Sequence, residues 1–430
     1  MATATANSNN MTIDNESGLD QKTSRPPQRV NCVIAGGGPA GVMLGFLLAR
    51  AGVSVAVLEK HADFLRDFRG DTIHPSTLQV IYELGLLDAF LALPHQEVGE
   101  LHGIIGDSDI KIADFAHLPT HCHFIALMPQ WDFLNFLAAQ GKRHTGFHLA
   151  MEADVTALIE EGGRVVGVRG HMPDGPFEIR GDLVVGADGR HSVVRQRAGL
   201  RVVDIGAAID VLWMRLAKHP GDPPQTAGRI NYGRMLVTLD RGDYLQCAFV
   251  IKKGGYDEVK VRGLDALRGD IARLAPFLAD RVDQLRDWDD IKLLTVTVDR
   301  LEQWWRSGLL CIGDAAHAMS PMGGVGINLA VQDAVAAGNI LAAPLQAGRL
   351  SDADLAAVQR RRTLPTKWTQ AVQVFMQDRV VNPALGSDKA ISPPWLLRMF
   401  NHIPLLPRIP ARLIGVGVRP EHVRVPAAAA

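Results

Sequence analysis

Three groups of residues in this chain are typed and spaced for chemistry. The first is Gly36-Gly37-Gly38-Pro39-Ala40-Gly41, directly after an apolar run at residues 30–35. Gly36, Gly38 and Gly41 permit a tight turn, a close approach of backbone to a pyrophosphate and tight packing of a helix on a strand. Pro39 and Ala40 complete this cofactor-facing turn, and the N-terminus of the helix that follows faces the phosphates. Glu59, followed by Lys60, ends a second apolar run at residues 53–58. An acid there can accept hydrogen bonds from ribose hydroxyls. Glycines of this spacing alone are weak evidence. Strand, turn, helix, strand and acid in that order make a dinucleotide site the expected reading.

The second group is Asp188 and Gly189, where an apolar run at 182–187 gives way to the basic turn Arg190-His191-Ser192-Val193-Val194-Arg195. Taken alone it is also compatible with an ordinary strand, turn and helix. The third is Gly313 and Asp314, after the apolar residues 309–312, continuing through Pro321, Gly323, Gly324, Gly326, Ile327 and Asn328. An acid at a strand end can bond a polyol. A helix N-terminus after a glycine-rich loop can hold partial negative charge on a ring system.

The elements that must position these groups follow from pattern. The strand–helix–strand unit at 30–58 implies a parallel sheet. Helices are expected at 42–51, 76–84, 131–140, 264–278, 327–345 and 352–375. Residues 201–298 change character: apolar and polar residues alternate at 211–216, 234–239 and 244–251. That is the signature of a half-exposed antiparallel sheet, and Trp213, Met235, Gln246 and Phe249 are its candidate substrate residues. The fold class expected is α/β: a Rossmann-like dinucleotide-binding domain (FAD-binding, on the resemblance given below) with an inserted antiparallel-sheet substrate domain and C-terminal helices. Its divisions are a disordered tail at 1–29, a first cofactor-binding part at 30–200 with some substrate-side strands, the substrate sheet at 201–298, a second cofactor-binding part at 299–350 and a helical region at 351–430.

Composition sets bounds. The chain has 430 residues, 47% apolar and 21% charged, with formal net charge −1. A balanced charge gives no reason to expect a nucleic acid or an acidic membrane as partner, and Arg360-Arg361-Arg362 reads as a solvated helix face. No run approaches the roughly 20 apolar residues of a membrane span. Cys32, Cys122, Cys247 and Cys311 lie far apart, as expected of buried reduced thiols in a cytoplasmic protein. His121-Cys122-His123 invites a metal reading, but no second ligand pair has the usual spacing, so no metal is expected.

The three motifs, in this order and spacing, resemble the group A flavoprotein monooxygenases, the para-hydroxybenzoate hydroxylase type, over residues 30–197 and 294–348. The resemblance implies FAD, with NADH or NADPH as a transient reductant, since no second glycine motif is present. It implies Gly36, Gly38 and Gly41 at the pyrophosphate and Glu59 at the adenosine ribose. Arg69, in Phe68-Arg69-Gly70-Asp71-Thr72, would meet the FAD, Gln130 would lie near the ribityl chain, and the backbone of Val155 would meet adenine. Asp188 and Gly189 are linked to both FAD and NAD(P)H, and Asp314 to the ribityl chain. Pro321 would lie beside the reactive face of the flavin, with the backbone from Gly324 to Asn328 at the pyrimidine end. His74, before a helix, either faces substrate in a catalytic role or is structural. The implied reaction is hydroxylation of an aromatic or polycyclic small molecule with molecular oxygen through a flavin C4a-hydroperoxide, by a monomer or homodimer. Two alternatives stay open: a dehydrogenase or reductase on the same fold, and a non-catalytic flavin-binding module.

Overall fold

The computed structural model describes residues 25–65, 72–223, 226–385 and 389–428. Residues 1–24 of the expected tail, and Arg69, lie outside them. The strands Leu309–Cys311, Gly175–Gly186, Arg29–Ala35, Val55–Leu58 and Phe147–Ala150 lie side by side in that order, all parallel. Their facing stretches are buried on both sides, which is why they read as unbroken apolar runs. Helices Pro39–Arg50, Gln130–Gly141 and Gly326–Gln346 pack on this sheet and on one another.

The run expected at 182–187 belongs to a longer strand, Gly175–Gly186. Its first half alternates in burial because it forms a hairpin with Arg164–Met172; only its second half enters the parallel sheet. The first helix begins at Pro39 rather than 42, because proline at N1 is preset for a helix and lacks only an amide that would have no partner there.

A second, seven-stranded sheet has the order Lys292–Leu294, Ile209–Ala217, Tyr244–Lys252, Arg234–Asp240, Ala227–Asn231, Glu100–Ile105, Ser108–Asp114. Its last two strands come from the first part of the chain. Strand alternation gives it two faces. On one, Leu212, Met214, Leu236, Cys247 and Phe249 pack with Leu267, Ile271 and Leu274 of the helix Leu264–Leu274. The other carries Val211, Trp213, Met235, Val237, Ala248 and Val250 and turns toward the flavin-type domain.

After the long helix Asp352–Met376 the chain continues through a π-helical turn, Gln377–Val381. Helix Arg408–Gly415 then covers the edge strand Ser108–Asp114, burying Ala411 against Phe115 and Leu118. Asp114 donates its amide to the Pro407 carbonyl at 3.2 Å, and Asn401 donates to the Asp109 carbonyl at 2.6 Å. Among the described residues one helical segment, 322–346, is long and apolar enough to cross a membrane; most of it is buried inside the protein.

Candidate flavin and substrate site

Sheet register brings the three motifs together. Leu58 pairs with Ala35, Ala35 with Gly186, and Gly186 with Cys311. Glu59, Gly36, Asp188 and Gly313-Asp314 therefore leave the sheet along one edge, at the carboxyl ends of the parallel strands. Gly36 has φ 107°, and a Cβ there would run into the Ala187 carbonyl; at Gly41 it would run into the carbonyl of Gly36. Glycine is the residue that allows both approaches. Gly38 caps the helix without a side-chain bond, so first-turn amides have no intrahelical partner. Glu59 accepts from the Gly37 amide at 2.9 Å and from that of His61 at 3.1 Å, fixing its carboxylate beside the glycine turn. Lys60 is exposed, and the Val155 side chain is in the core.

The third motif is locked from behind. Gly313, with φ 58°, sits between Ala40 and Ala330; a Cβ there would meet theirs at 3.1 and 3.4 Å. Its amide donates to Asp333 Oδ2 at 3.0 Å, and His317 Nε2 lies 2.6 Å from the same oxygen. Arg362 Nε donates to Asp333 Oδ1 at 2.8 Å, and Arg362 also pairs with Glu421 at 3.4 Å. All four side chains are buried. Burial alone would raise the Asp333 carboxyl; the charge and hydrogen bond of His317, with those of Arg362, outweigh it and hold the group below the usual range. The solvated-face reading of residues 360–362 is thus wrong for Arg362. Of this network, Asp333, Arg362 and Glu421 carry no functional reading from the sequence. The available signal was Asp333 itself, an acid inside a nearly all-apolar helix, which has to be paired. Asp314 stands half-buried at the strand end.

Asp188 turns back on its own loop. Its Oδ2 accepts from the Val194 amide at 3.0 Å, while Oδ1 is buried without a partner. Desolvation raises its carboxyl above the ordinary value, against the hydrogen bond from Ser192. Gly189 follows with φ 82°. Arg195 links this loop to the third motif, pairing with Asp299 at 3.3 Å and donating to the Ala315 carbonyl at 3.5 Å.

The loop from Pro321 to Asn328 is held on two sides. Thr72 Oγ1 donates to the Gly324 carbonyl at 2.9 Å, and a Cβ on Gly324 would strike that hydroxyl. Asn328 Oδ1 accepts from the His74 amide at 3.2 Å and from Thr77 Oγ1 at 2.6 Å, leaving Nδ2 buried and unpartnered. On the other side Gln373 accepts from the Ser320 amide at 3.1 Å and donates to the Ser320 and Met322 carbonyls at 2.9 and 3.0 Å. Gly326 and Ile327 open the long helix, which has no side-chain cap. Half-buried Gln130 opens another helix.

His74 is fully buried, with Nδ1 2.8 Å from the Ile414 carbonyl. Burial lowers its pKa to about 4 against the hydrogen bond to Ile414, so the neutral ring donates from Nδ1. Sealed under the C-terminal helix, His74 is in the position of a structural residue, and the geometry disfavours the catalytic alternative. Of the substrate candidates, Trp213, Met235 and Gln246 share the sheet face turned to the flavin-type domain. Phe249 does not: it points the other way, into the core against the helix Leu264–Leu274. Met235 packs against the cluster of Ile209, Val250, Val381 and Leu385, and Met322 of the flavin loop packs against the same cluster. Met322, Val381 and Leu385 carry no sequence signal beyond being apolar. His121 is exposed and stacks on Tyr82 with ring centroids 4.0 Å apart.

The FAD binding domain family matches residues 29–372. The chain belongs to this family.

This flavoprotein is 35% identical to 6-methylpretetramide 4-monooxygenase of Streptomyces rimosus over 83% of its own length and 86% of that protein's. It is 28% identical to dialkyldecalin synthase of Streptomyces rugosporus, over 73% of its length and 65% of that protein's. Its fold is similar to that of Pseudomonas aeruginosa PqsL, solved with 2-aminobenzoylacetate, at TM-score 0.73 and 21% identity, covering 83% of this chain and 98% of that one. It is an FAD-dependent oxidoreductase of the monooxygenase kind. The site fits the cofactor on its own geometry: a glycine cradle that a Cβ would fill, two helix N-termini without side-chain caps, and acids at two strand ends.

Proposed function

We propose that this flavoprotein uses NADH or NADPH and molecular oxygen to hydroxylate an aromatic or polycyclic small molecule. The observation that carries the reading is the cluster around Val250 of the second sheet, against which Met322 of the flavin loop and Met235 both pack. It sets an apolar wall beside the loop that would hold the ring end of the cofactor. The activity of the Streptomyces rimosus relative, a monooxygenase of 6-methylpretetramide, supports it.

Bound FAD supplies the redox chemistry. The chain orients, shields and neutralises. Amides at Gly36–Gly41 take the pyrophosphate, Glu59 the ribose, and Asp314 the ribityl hydroxyls. Amides at Gly324–Asn328, with the positive end of the helix behind them, favour negative charge at the pyrimidine end. Pro321, which has no amide proton, would lie beside the reactive face of the bound flavin. The apolar sheet face excludes water from a substrate held against it. No residue here is assigned as a general base. We further place the protein in the cytoplasm, a reading supported by its four free, buried cysteines, as a monomer or homodimer.

A second reading is favoured by the similarity to a synthase: the flavin is bound but a redox step is not the product-forming one. Turnover under isotopically labelled oxygen separates them. A panel of phenolic and polycyclic compounds is screened for acceleration of NAD(P)H oxidation, and product mass is measured. One labelled atom in the product is the expected result. An unlabelled desaturated product with equimolar hydrogen peroxide, or product formation without NAD(P)H, overturns the proposal.

A further inference from the structure

The sheet face turned to the flavin loop carries unpaired buried donors that its opposite face lacks. Strand pairing sets Trp213, Ala248 and Val237 in one cross-strand row and Arg215, Gln246 and Leu239 in the next. The row nearer the flavin loop is Val211, Val250 and Met235, all apolar. Within this surface Trp213 Nε1 and Gln246 Nε2 are buried and have no hydrogen-bond partner. Gln246 is only 3% exposed, and its Oε1 accepts from Arg241 Nε at 3.1 Å. That bond fixes which end of the amide is which and leaves Nε2 as the unused donor. An indole nitrogen can only donate. The two groups therefore ask for the same thing, an acceptor.

On the opposite face the buried polar groups are paired. Arg229 donates to Thr238 Oγ1 at 2.9 Å, and Asp210 accepts from Lys253 at 2.8 Å and from the Val296 amide at 2.9 Å. An unpaired buried donor costs on the order of 1–3 kcal/mol, so two on one face and not the other mark that face as made for a partner. Position gives the partner a shape. Val250 packs in the cluster that holds Met322. Ala248, opposite Trp213, is about 7 Å further along the strand, and Gln246 about 13 Å, at the ordinary rise of an extended chain.

We propose that Trp213 and Gln246 form an acceptor-recognising subsite, distal to the flavin, that takes carbonyl or phenolate oxygens of an extended planar aromatic ligand. The inference rests on the reading of this face as the substrate wall. Half-buried Met235, Val237 and Leu239 move aside to admit the ligand; Met is the most adaptable of them.

The test is binding to the FAD-loaded protein, followed by the change in flavin absorbance and fluorescence. The probes are 1,8-dihydroxyanthraquinone, which offers acceptors, and anthracene, which offers none. Trp213→Phe keeps a ring and Gln246→Met keeps the length; each deletes the donor. Each variant is expected to weaken anthraquinone binding about tenfold, equivalent to about 1.4 kcal/mol, with anthracene and FAD affinities unchanged. Equal anthraquinone affinity in all three proteins overturns the proposal. So does an equal loss for anthracene, which would mean shape rather than acceptor recognition, or a loss of FAD, which would mean a core role. The assay needs no turnover. Donor-dependent binding without labelled oxygen in a product leaves this subsite standing and removes the monooxygenase reading alone.

Discussion

Gly36, Gly41 and Gly324 are each pressed so closely against another part of the chain that a single added carbon would collide. Met235, Val237 and Leu239, on the sheet face turned to the flavin loop, are half-buried side chains on a regularly paired strand. At the first region the backbone shapes the site, so residue type is dictated by geometry. At the second the backbone is an ordinary strand, and only the side chain decides what is recognised. Substitutions should therefore abolish the cofactor site and merely retune the substrate face.

The strongest test is Gly41→Val. Its side chain would enter the space of the Gly36 carbonyl, and the purified protein is expected to be colourless and to take up no added FAD; a yellow protein would show that the turn can relax. Next come two buried positions of equal expected cost. Asp333→Asn takes the buried carboxylate away from Arg362 Nε and His317 Nε2, and breaking such a buried pair costs about 3–5 kcal/mol; FAD affinity should fall with stability. Phe249→Ala should lose about 3–5 kcal/mol in chemical unfolding, whereas Met235→Ala, on the other face, should alter compound preference in the NAD(P)H oxidation screen with FAD still bound. The comparison fails if Phe249→Ala is stable and Met235→Ala unfolds.

A smaller effect is read in pH. His74 has its folded pKa lowered from 6.5 to about 4, so the unfolded chain binds its proton first as pH falls. Its contribution is present above pH 6.5 and lost as pH falls through 4, a change on the order of 3 kcal/mol. His74→Asn, which keeps a donor for the Ile414 carbonyl, should remove that slope from the unfolding profile; an unchanged slope assigns it elsewhere. Smallest is the contrast between Asp314→Ala and Asp188→Ala. Losing a charge-assisted bond to FAD costs about 1.5–3 kcal/mol, while Asp188 already spends one oxygen on the Val194 amide. Titration of the two apoproteins with FAD should rank Asp314→Ala as the weaker binder; equal affinities would remove its direct role.

What the sequence made legible follows the same division. The strand ends at Ala35, Leu58, Gly186 and Cys311 were readable because buried parallel strands are unbroken apolar runs that stop at glycines or acids. Alternation announced the second sheet, but it cannot say which face is which. Phe249 and Ala248 differ by one position, and the choice between core and wall lies in what packs on each side. The π-helical turn that brings Val381 to the substrate side, and Gln373's hold on the flavin loop, depend on contacts between distant segments. Arg362 was misread because three arginines in a row look like surface; the helix turns one of them inward to meet Asp333.

The bond from Gly313 to Asp333, and on through Arg362 to Glu421, also sets an order in time. Synthesis delivers the N-terminus first. The glycine cradle at Gly36–Gly41 is complete once the strand Gly175–Gly186 and the Ala187 that follows it have been made, but the turn carrying Asp314 has its last counter-charge only when Glu421 has arrived. The two ends of the cofactor site are therefore finished at different times, the phosphate cradle first and the flavin's far end only with the segment that carries Glu421.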